Sequence, residues 1–124
     1  MSTLRLTTIS NQTGSASVPS DTVINGSAKA WVNFNGLGTI AIRASFNVTS
    51  LTDVGTGIYN VNFTTALADA NYSAVGCAGG TNNSYGDRQL STYPLSSSSC
   101  RVVSGVTASV TTYDADPVMV AIFR

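Results

Sequence analysis

Hydrophobic and polar residues alternate along the central part of the chain, and the alternation first becomes regular at residues 30–34. Three apolar side chains share one face of this segment, namely Ala30, Val32 and Phe34, whereas Trp31 and Asn33 share the other. A period of two residues is typical of a β-strand with one buried face. The Asn-Gly pair at residues 35–36 follows, and these residues tolerate the positive φ angles of a hairpin turn. The pattern therefore predicts a strand followed by a tight turn.

Two more strands are predicted after this turn, at residues 39–48 and 58–64. In the first, one side carries Ile40, Ile42, Phe46 and Val48, and the other carries Ala41, Arg43, Ser45 and Asn47. In the second, Tyr59, Val61 and Phe63 alternate with Asn60 and Asn62. A Gly-Thr-Gly sequence at residues 55–57 supplies the turn between them. With the strand at 30–34, these segments predict an antiparallel meander.

Further strands are predicted at residues 71–78, 101–113 and 118–123. The last of these is apolar on both faces, so we expect it to be buried, either in the centre of a sheet or against another chain. The stretch at residues 79–99 is rich in Gly, Asn and Ser and has no regular pattern. Long loops of this kind are uncommon in compact domains and are frequently functional. We therefore expect a structureless functional loop at 79–99.

The beginning of the chain differs from the rest. Residues 3–9 form a short extended segment, and the residues that follow, to position 27, are mainly Ser, Asn, Gln, Thr and Gly. Such a composition buries too little apolar surface to offset the entropy of ordering it. We therefore predict an all-β fold, an antiparallel β-sandwich of about seven or eight strands, with an extended N-terminal arm (1–27) outside the compact domain (28–124).

Composition and charge exclude several classes of function. Only 10% of the residues are charged, six basic residues balance six Asp, and the chain contains neither His nor Glu. A neutral chain lacks the basic surface that binds a nucleic-acid backbone, and without His there is no Ser-His-Asp or Cys-His catalysis. No apolar run approaches the ~20 residues of a membrane span, and residues 1–5 do not look like a secretory signal. We expect a protein that is not an enzyme, uses no cofactor, and binds neither nucleic acid nor the membrane interior.

Two pairs of residues carry chemistry that composition alone does not exclude. Cys77 and Cys100 have 22 residues between them, which is compatible with two half-buried thiols or, on neighbouring strands, with a disulfide. Asp114 and Asp116 have the hard oxygens that Ca²⁺ prefers. An Asp-x-Asp-Pro sequence is more often a turn with Asx hydrogen bonds, so we expect no metal there.

A resemblance to a known family is carried by several segments. They are KAWVNFNG at 29–36, AIRASFNV at 41–48, TD at 52–53, GTG at 55–57, VNFT at 61–64 and DANY at 69–72. Together they resemble a module of bacteriophage tail-fibre and related virion proteins, familiar from phages of marine and photosynthetic bacteria. The match covers residues 28–72 well, and residues 2–9 loosely resemble the leader that often precedes the module. The family commonly has a polar residue where Val54 and Ile58 stand, so the local turn is expected to differ.

The resemblance implies a non-enzymatic component of the virion. It implies a homotrimer of β-rich subunits that attaches to other virion proteins through residues 1–27 and exposes a variable tip. On this basis we expect a tail-fibre-type protein of the phage tail that adheres to host surface glycan. The alternative is a cement or decoration protein that clamps neighbouring subunits on the surface of the capsid. A glycan-degrading enzyme is the third and least favoured interpretation.

Two sets of residues are candidates for these roles. Tyr85, Asp87, Arg88 and Tyr93 lie in the predicted 79–99 loop. Aromatic faces pack on sugar rings while Asp and Arg hydrogen-bond hydroxyl groups, although a solvated loop with anchoring tyrosines explains the same residues. Trp31 and Arg43 fall on the face opposite the predicted core. An isolated exposed Trp is usually accidental, but in a repeated subunit these two residue types are favoured at subunit interfaces.

Overall fold

A computed structural model describes residues 1–80, 88–106 and 110–124 of the chain. Its elements, in chain order, are β1 (Thr8–Ser10), β2 (Ser17–Pro19), α1 (Ser20–Gly26), β3 (Ala28–Asn35), β4 (Ala41–Phe46), β5 (Val48–Gly55), β6 (Ile58–Phe63), β7 (Ser73–Ala78), β8 (Gln89–Ser96), β9 (Ser99–Gly105) and β10 (Val118–Phe123). No helix within these described ranges is long and apolar enough to cross a membrane.

Eight of the strands form two antiparallel sheets of four strands each. The first sheet has the strand order β4-β3-β10-β7, and the second has the order β5-β6-β9-β8. The inward side chains of both sheets form one apolar core, whose largest fully buried members include Phe34, Tyr59, Val61, Val102 and Ile122. The predicted all-β, antiparallel sandwich is therefore confirmed.

The alternating pattern identified the core residues of the central strands. Tyr59, Val61 and Phe63 of β6 are buried, as their spacing predicts. Strand β10 lies between β3 and β7, and its Val118 and Ile122 are fully buried. Its apolar sequence predicted burial either in the centre of a sheet or against another chain, and the structure shows β10 in the centre of a sheet.

The predicted meander of three strands is wrong, because the segment 39–48 does not continue straight. It ends at Asn47, whose φ of 55° lies in the left-handed region. Beyond this corner β5 begins at once, and it pairs with β6 in the second sheet, whereas β4 pairs with β3 in the first. One residue thus transfers the chain from one sheet to the other.

A β-bulge in the β3–β4 pair overturns the predicted face of Phe46. Phe34 pairs with Ile42, but the next pair is Asn33 with Ala44, so β4 holds one extra residue at Arg43. The bulge reverses the alternation, and Phe46 therefore pairs with Trp31 on the outer face. Phe46 is 55% exposed instead of lying in the core. Ile42, opposite the buried Phe34, keeps the predicted face, but it is 37% exposed because β4 is the edge strand of the sheet.

The predicted structureless loop at 79–99 is also wrong in its second half. Residues Gln89–Ser96 form strand β8, which makes a hairpin with β9. Their apolar residues are too few and too scattered to show a clear period, so the pairing with β9 decides their conformation. The strand predicted at 101–113 ends at Gly105, and residues 107–109 lie outside the described residues.

The N-terminal arm carries more local structure than its composition predicts. Strands β1 and β2 pair as a hairpin whose turn is closed by Asn11, because its Oδ1 accepts a hydrogen bond from the Ala16 amide at 3.2 Å. Gly14 in the same turn has a φ of 70°. Helix α1 follows, and Lys29 at the start of the sandwich donates to the carbonyl of Ile24. The arm is thus a hairpin and a helical turn rather than an extended chain.

Candidate functional site

The outer face of the second sheet carries the side chains that alternate with the core residues of β6, β8 and β9. In cross-strand register they form a row in which Tyr93 pairs with Arg101, Arg101 with Asn60, and Asn60 with Thr52. We call this row and its flanking side chains the polar outer face. It combines one aromatic ring, one guanidinium group and several amide and hydroxyl groups on a continuous surface.

Hydrogen bonds hold the polar side chains of this face in place. Arg101 donates through Nε to Asn60 Oδ1 at 3.0 Å. Asn62 donates through Nδ2 to Ser50 Oγ at 3.1 Å and to Thr52 Oγ1 at 3.0 Å. The Nε bond uses one of the five N–H donors of the guanidinium group. The face is therefore ordered before any ligand arrives.

Tyr93 lies at the edge of a shallow depression of ≈ 430 Å³. Its side chain is 54% exposed. The other lining residues are Ile58, Leu95, Arg101 and Val103. An apolar floor with an aromatic wall and a few polar groups at fixed positions is the usual make-up of a small-ligand site. The arrangement can hold the apolar side of a ring-shaped polar ligand while Arg101 and Asn60 hydrogen-bond its hydroxyl groups.

The structure separates the residues that the sequence grouped in one loop. Tyr85 and Asp87 lie outside the described residues. The guanidinium carbon of Arg88 lies 4.4 Å from the centroid of the Tyr113 ring, which is a cation–π contact. Arg88 therefore packs on Tyr113, in the segment between β9 and β10. Of the two predicted residues that the structure describes, Tyr93 lies in the row of the polar outer face.

Sequence reasoning missed Arg101 and Asn60. Both stand at alternate positions to buried residues, since Cys100 and Val102 flank Arg101, and Tyr59 and Val61 flank Asn60. The alternation therefore indicates that both point outward. That they lie side by side depends on the pairing of β6 with β9, which joins segments far apart in the chain.

The outer face of the first sheet has a different character. One row contains Phe46, Trp31, Ala121 and Val75, and the next contains Ala44, Asn33, Met119 and Cys77. We call these two rows the apolar outer face. Trp31 is 39% exposed and Phe46 55% exposed, and they pair across the edge of the sheet. A depression of ≈ 480 Å³ runs between Trp31, Val75 and Met119.

Arg43, predicted to share an interface with Trp31, binds within its own chain. Its guanidinium group forms a two-bond ion pair with Asp116, with Nη1–Oδ1 and Nη2–Oδ2 distances of 2.5 and 2.8 Å. The Asp116 hydrogen bond raises the pKa of Arg43 above its ordinary value. Trp31 therefore keeps a place on an exposed surface, whereas Arg43 fastens the bulge of β4 to the 114–117 turn.

Asp114 belongs to a second structural network. Its Oδ1 accepts hydrogen bonds from the Gly57 amide at 2.6 Å and from the Tyr59 hydroxyl at 3.0 Å. The same hydroxyl lies 2.8 Å from the Gly36 carbonyl oxygen. Burial, with the nearby Asp114, raises the pKa of Tyr59, so the phenol stays protonated and remains a donor. Asp114 and Asp116 thus bind to their own chain, and the described residues contain no cluster of three metal-ligating side chains.

The two cysteines lie on different faces of the sandwich and are not bonded to each other. Cys77 is exposed on the apolar outer face, and Cys100 is fully buried in the core. Burial raises the pKa of the Cys100 thiol and so disfavours the reactive thiolate. The sequence left a disulfide open, and the structure shows one exposed and one buried thiol instead.

Comparisons of the chain with protein-family models, curated proteins and solved structures found no match. The two outer faces and the residue pattern of the chain are therefore the features that bear on its function.

Proposed function

We propose that this chain is a non-enzymatic virion structural protein of the phage tail-fibre type, a homotrimer that adheres to glycan on the host surface. The sequence resemblance over residues 28–72 supports a virion role. The observation that carries adhesion is the polar outer face, where Tyr93, Arg101 and Asn60 stand side by side on an ordered, open surface.

The chemistry of this face suits a polysaccharide. A sugar ring offers a C–H surface that packs against an aromatic ring, and hydroxyl groups that accept from guanidinium and amide N–H donors. The face is shallow and open, so a long polymer passes over it without having to end there. The neutral groups Thr52 and Asn62 extend it along the sheet.

A shallow site of this kind binds weakly, and repetition supplies the strength. Identical sites on linked subunits turn the second and third binding events into intramolecular ones, and avidity can exceed the single-site affinity by roughly 10²–10⁴. In this proposal the arm at residues 1–27 attaches the subunits to other virion proteins. The sandwich presents its polar outer face to the host.

The test is binding of the purified full chain to an array of bacterial capsular and outer-envelope polysaccharides. We expect Tyr93→Ala and Arg101→Ala each to weaken binding about tenfold or more, since each removes contacts made in the complex. Val54→Ala on β5 is the matched control, because Val54 is exposed on the same sheet but outside the row. Unchanged thermal unfolding shows that the variants are folded. Equal binding by Tyr93→Ala and the wild type would contradict the assignment of this face.

Arg88→Ala separates this face from the loop that the sequence favoured. Loss of binding in Arg88→Ala with full binding in Arg101→Ala would place the site around Arg88 and not on the polar outer face. Antibody labelling of virions in the electron microscope tests the location. Gold on the tail supports the proposal, and gold confined to the head supports the capsid cement alternative.

A further inference from the structure

The apolar outer face of the first sheet is uncovered in the single chain. Its two rows run across all four strands and contain Trp31, Phe46, Val75 and Met119 as their large side chains, each exposed to solvent. None of the eight residues in the two rows carries a charge. An exposed apolar patch that spans a whole sheet marks a contact surface more often than a free one. A partner that fits this face is apolar and neutral.

The N-terminal arm of the chain has this chemistry. Six of its apolar side chains are exposed, namely Leu4, Leu6, Ile9, Val18, Val23 and Ile24. Most of them surround one hollow between the start of the chain, β1 and α1, so they are gathered on one side of the arm. The same hollow includes one Arg and one Asp, Arg5 and Asp21, whose charges cancel. The arm thus presents an apolar surface that its own sandwich leaves exposed.

We propose that the N-terminal arm of a second copy of this chain packs on the apolar outer face, so that subunits are joined by exchanged arms. The inference rests on the proposed homotrimer and names the surfaces that build it. Other occupants fit less well, because the polar outer face of a second copy is lined by Arg101 and amide groups. A contact of arm with face is heterologous, and such contacts close into rings when the rotation permits.

The connectivity of the arm favours exchange. Helix α1 ends at Gly26, and β3 begins two residues later at Ala28 in the sheet that bears the apolar outer face. Lys29 donates to the carbonyls of Ile24 and Ser27, which fixes the direction in which the arm leaves the sandwich. In this direction the arm's apolar side chains stay exposed in their own chain. They are therefore available to a neighbour.

The area of the apolar outer face is too small for a stable interface unless the arm also takes part. Four strands at ~4.8 Å spacing and six residues at ~3.3 Å give a face of roughly 400 Å². A stable interface buries about 800 Å² on each partner, so one such face alone is too small. In a closed ring each chain buries one face and one arm against two different neighbours, so the surface that it buries in total is about doubled, to about 800 Å². Each single arm–face contact stays at roughly 400 Å², and closing of the ring adds the second contact.

The test measures the mass of the full chain in solution by analytical ultracentrifugation. Val75→Asp alters the face on an edge strand, and Ile24→Asp alters the arm. Val54→Asp places the same charge at an exposed valine on the second sheet and is the matched control. We expect each of the first two variants to weaken self-association by roughly a hundredfold, because an unpaired charge must be desolvated in the contact. The control should keep the mass of the wild type.

Mixing the two variants distinguishes arm exchange from packing of face on face. A face variant keeps a normal arm, and an arm variant keeps a normal face, so an equimolar mixture recovers one arm–face contact and should associate more strongly than either variant alone. A wild type that stays monomeric at its highest soluble concentration would overturn the inference. So would an oligomer that survives Ile24→Asp, or a mixture that associates no more strongly than either variant alone. Glycan binding by Tyr93 is measured separately, so either proposal can fail without the other.

Cys77 gives a second readout that needs no change in mass. It lies on the apolar outer face, and we expect a seated arm to slow its reaction with a thiol reagent in the wild-type oligomer relative to Ile24→Asp. Cys100 is the internal reference, since it is fully buried and should react only on unfolding. Equal Cys77 rates in the wild-type oligomer and in Ile24→Asp would place the arm elsewhere. The variant Met119→Asp, on the central strand β10, replaces Val75→Asp if the latter misfolds at the edge strand.

Discussion

Asn47 holds the corner at which the chain passes from one sheet to the other, and its replacement tests that role. The residue has a φ of 55°, a conformation that Asn tolerates better than most side chains. Its side chain also joins three backbone groups. Nδ2 donates to the carbonyl oxygens of Lys29 at 3.0 Å and Thr65 at 3.1 Å, and Oδ1 accepts from the Thr65 amide at 2.8 Å.

The expected loss of stability follows from these two properties. Each hydrogen bond contributes about 0.5–1.5 kcal/mol, and because the corner is partly solvated we take the lower half of that range for each bond, or about 1.5–3 kcal/mol for the three. The left-handed backbone adds about 1 kcal/mol when the new residue is Ala. Asn47→Ala should therefore lower the free energy of unfolding by about 2.5–4 kcal/mol. Asn47→Gly removes the bonds without the backbone strain, so its loss should be about 1 kcal/mol smaller.

Urea unfolding followed by circular dichroism measures these differences. Asn25→Ala in α1 is the matched control, because it makes the same chemical change on an exposed residue and should stay within about 0.5 kcal/mol of the wild type. Asn47→Asp should be less stable than Asn47→Gly, since a carboxylate oxygen would face two carbonyl oxygens. If Asn47→Ala were as stable as the control, the corner would not depend on this side chain. Equal stability of the Ala and Gly variants would refute the backbone part of the reasoning.

Three further predictions concern the turn network and an ion pair. Tyr59→Phe removes the hydroxyl that serves two acceptors and should cost about 1–3 kcal/mol by urea unfolding, whereas an unchanged midpoint would show that water replaces it. Gly57→Ala should cost more than about 3 kcal/mol, because φ is 67° and a Cβ would lie 2.5 Å from the Tyr113 carbonyl oxygen; normal yield and stability would contradict this. The hydrogen bond from Arg124 lowers the pKa of Asp69 to about 2. The pair therefore stabilises the fold fully above the unfolded pKa near ~3.9 and loses this as the pH falls towards about 2, so Asp69→Asn should flatten the stability profile in that window.

The candidate site was only partly predictable from the sequence. Tyr93 stood out as an exposed aromatic residue, but it was assigned to a loop because the residues around it lack a clear period. Arg101 and Asn60 gave no signal of their own beyond pointing outward. The grouping of the three depends on two strand pairings between distant segments, and such pairings depend on packing that no local pattern encodes.

The fold shows the same division. Strict alternation along β6, and an apolar run in β10, were enough to identify their buried residues, because a period of two assigns side chains to faces whatever lies beyond the strand. The β4 segment has an equally regular pattern, and there the prediction was wrong. One extra residue at the bulge moved Phe46 from the expected core to the outer face beside Trp31.

The sequence by itself determined that this is a β-rich sandwich with few charges, since residue types and their period are local properties of the chain. The tertiary structure decided where the chain changes sheets, which side of the bulge faces outward, and which residues meet on each outer face. The change of sheet depends on the hydrogen bonds of Asn47 with the backbone of Lys29 and Thr65. The composition of each outer face depends on pairing between strands that are far apart in the chain. A change of register by one residue exchanges the two faces of a strand, so the composition of a surface is fixed only when the sheets have formed.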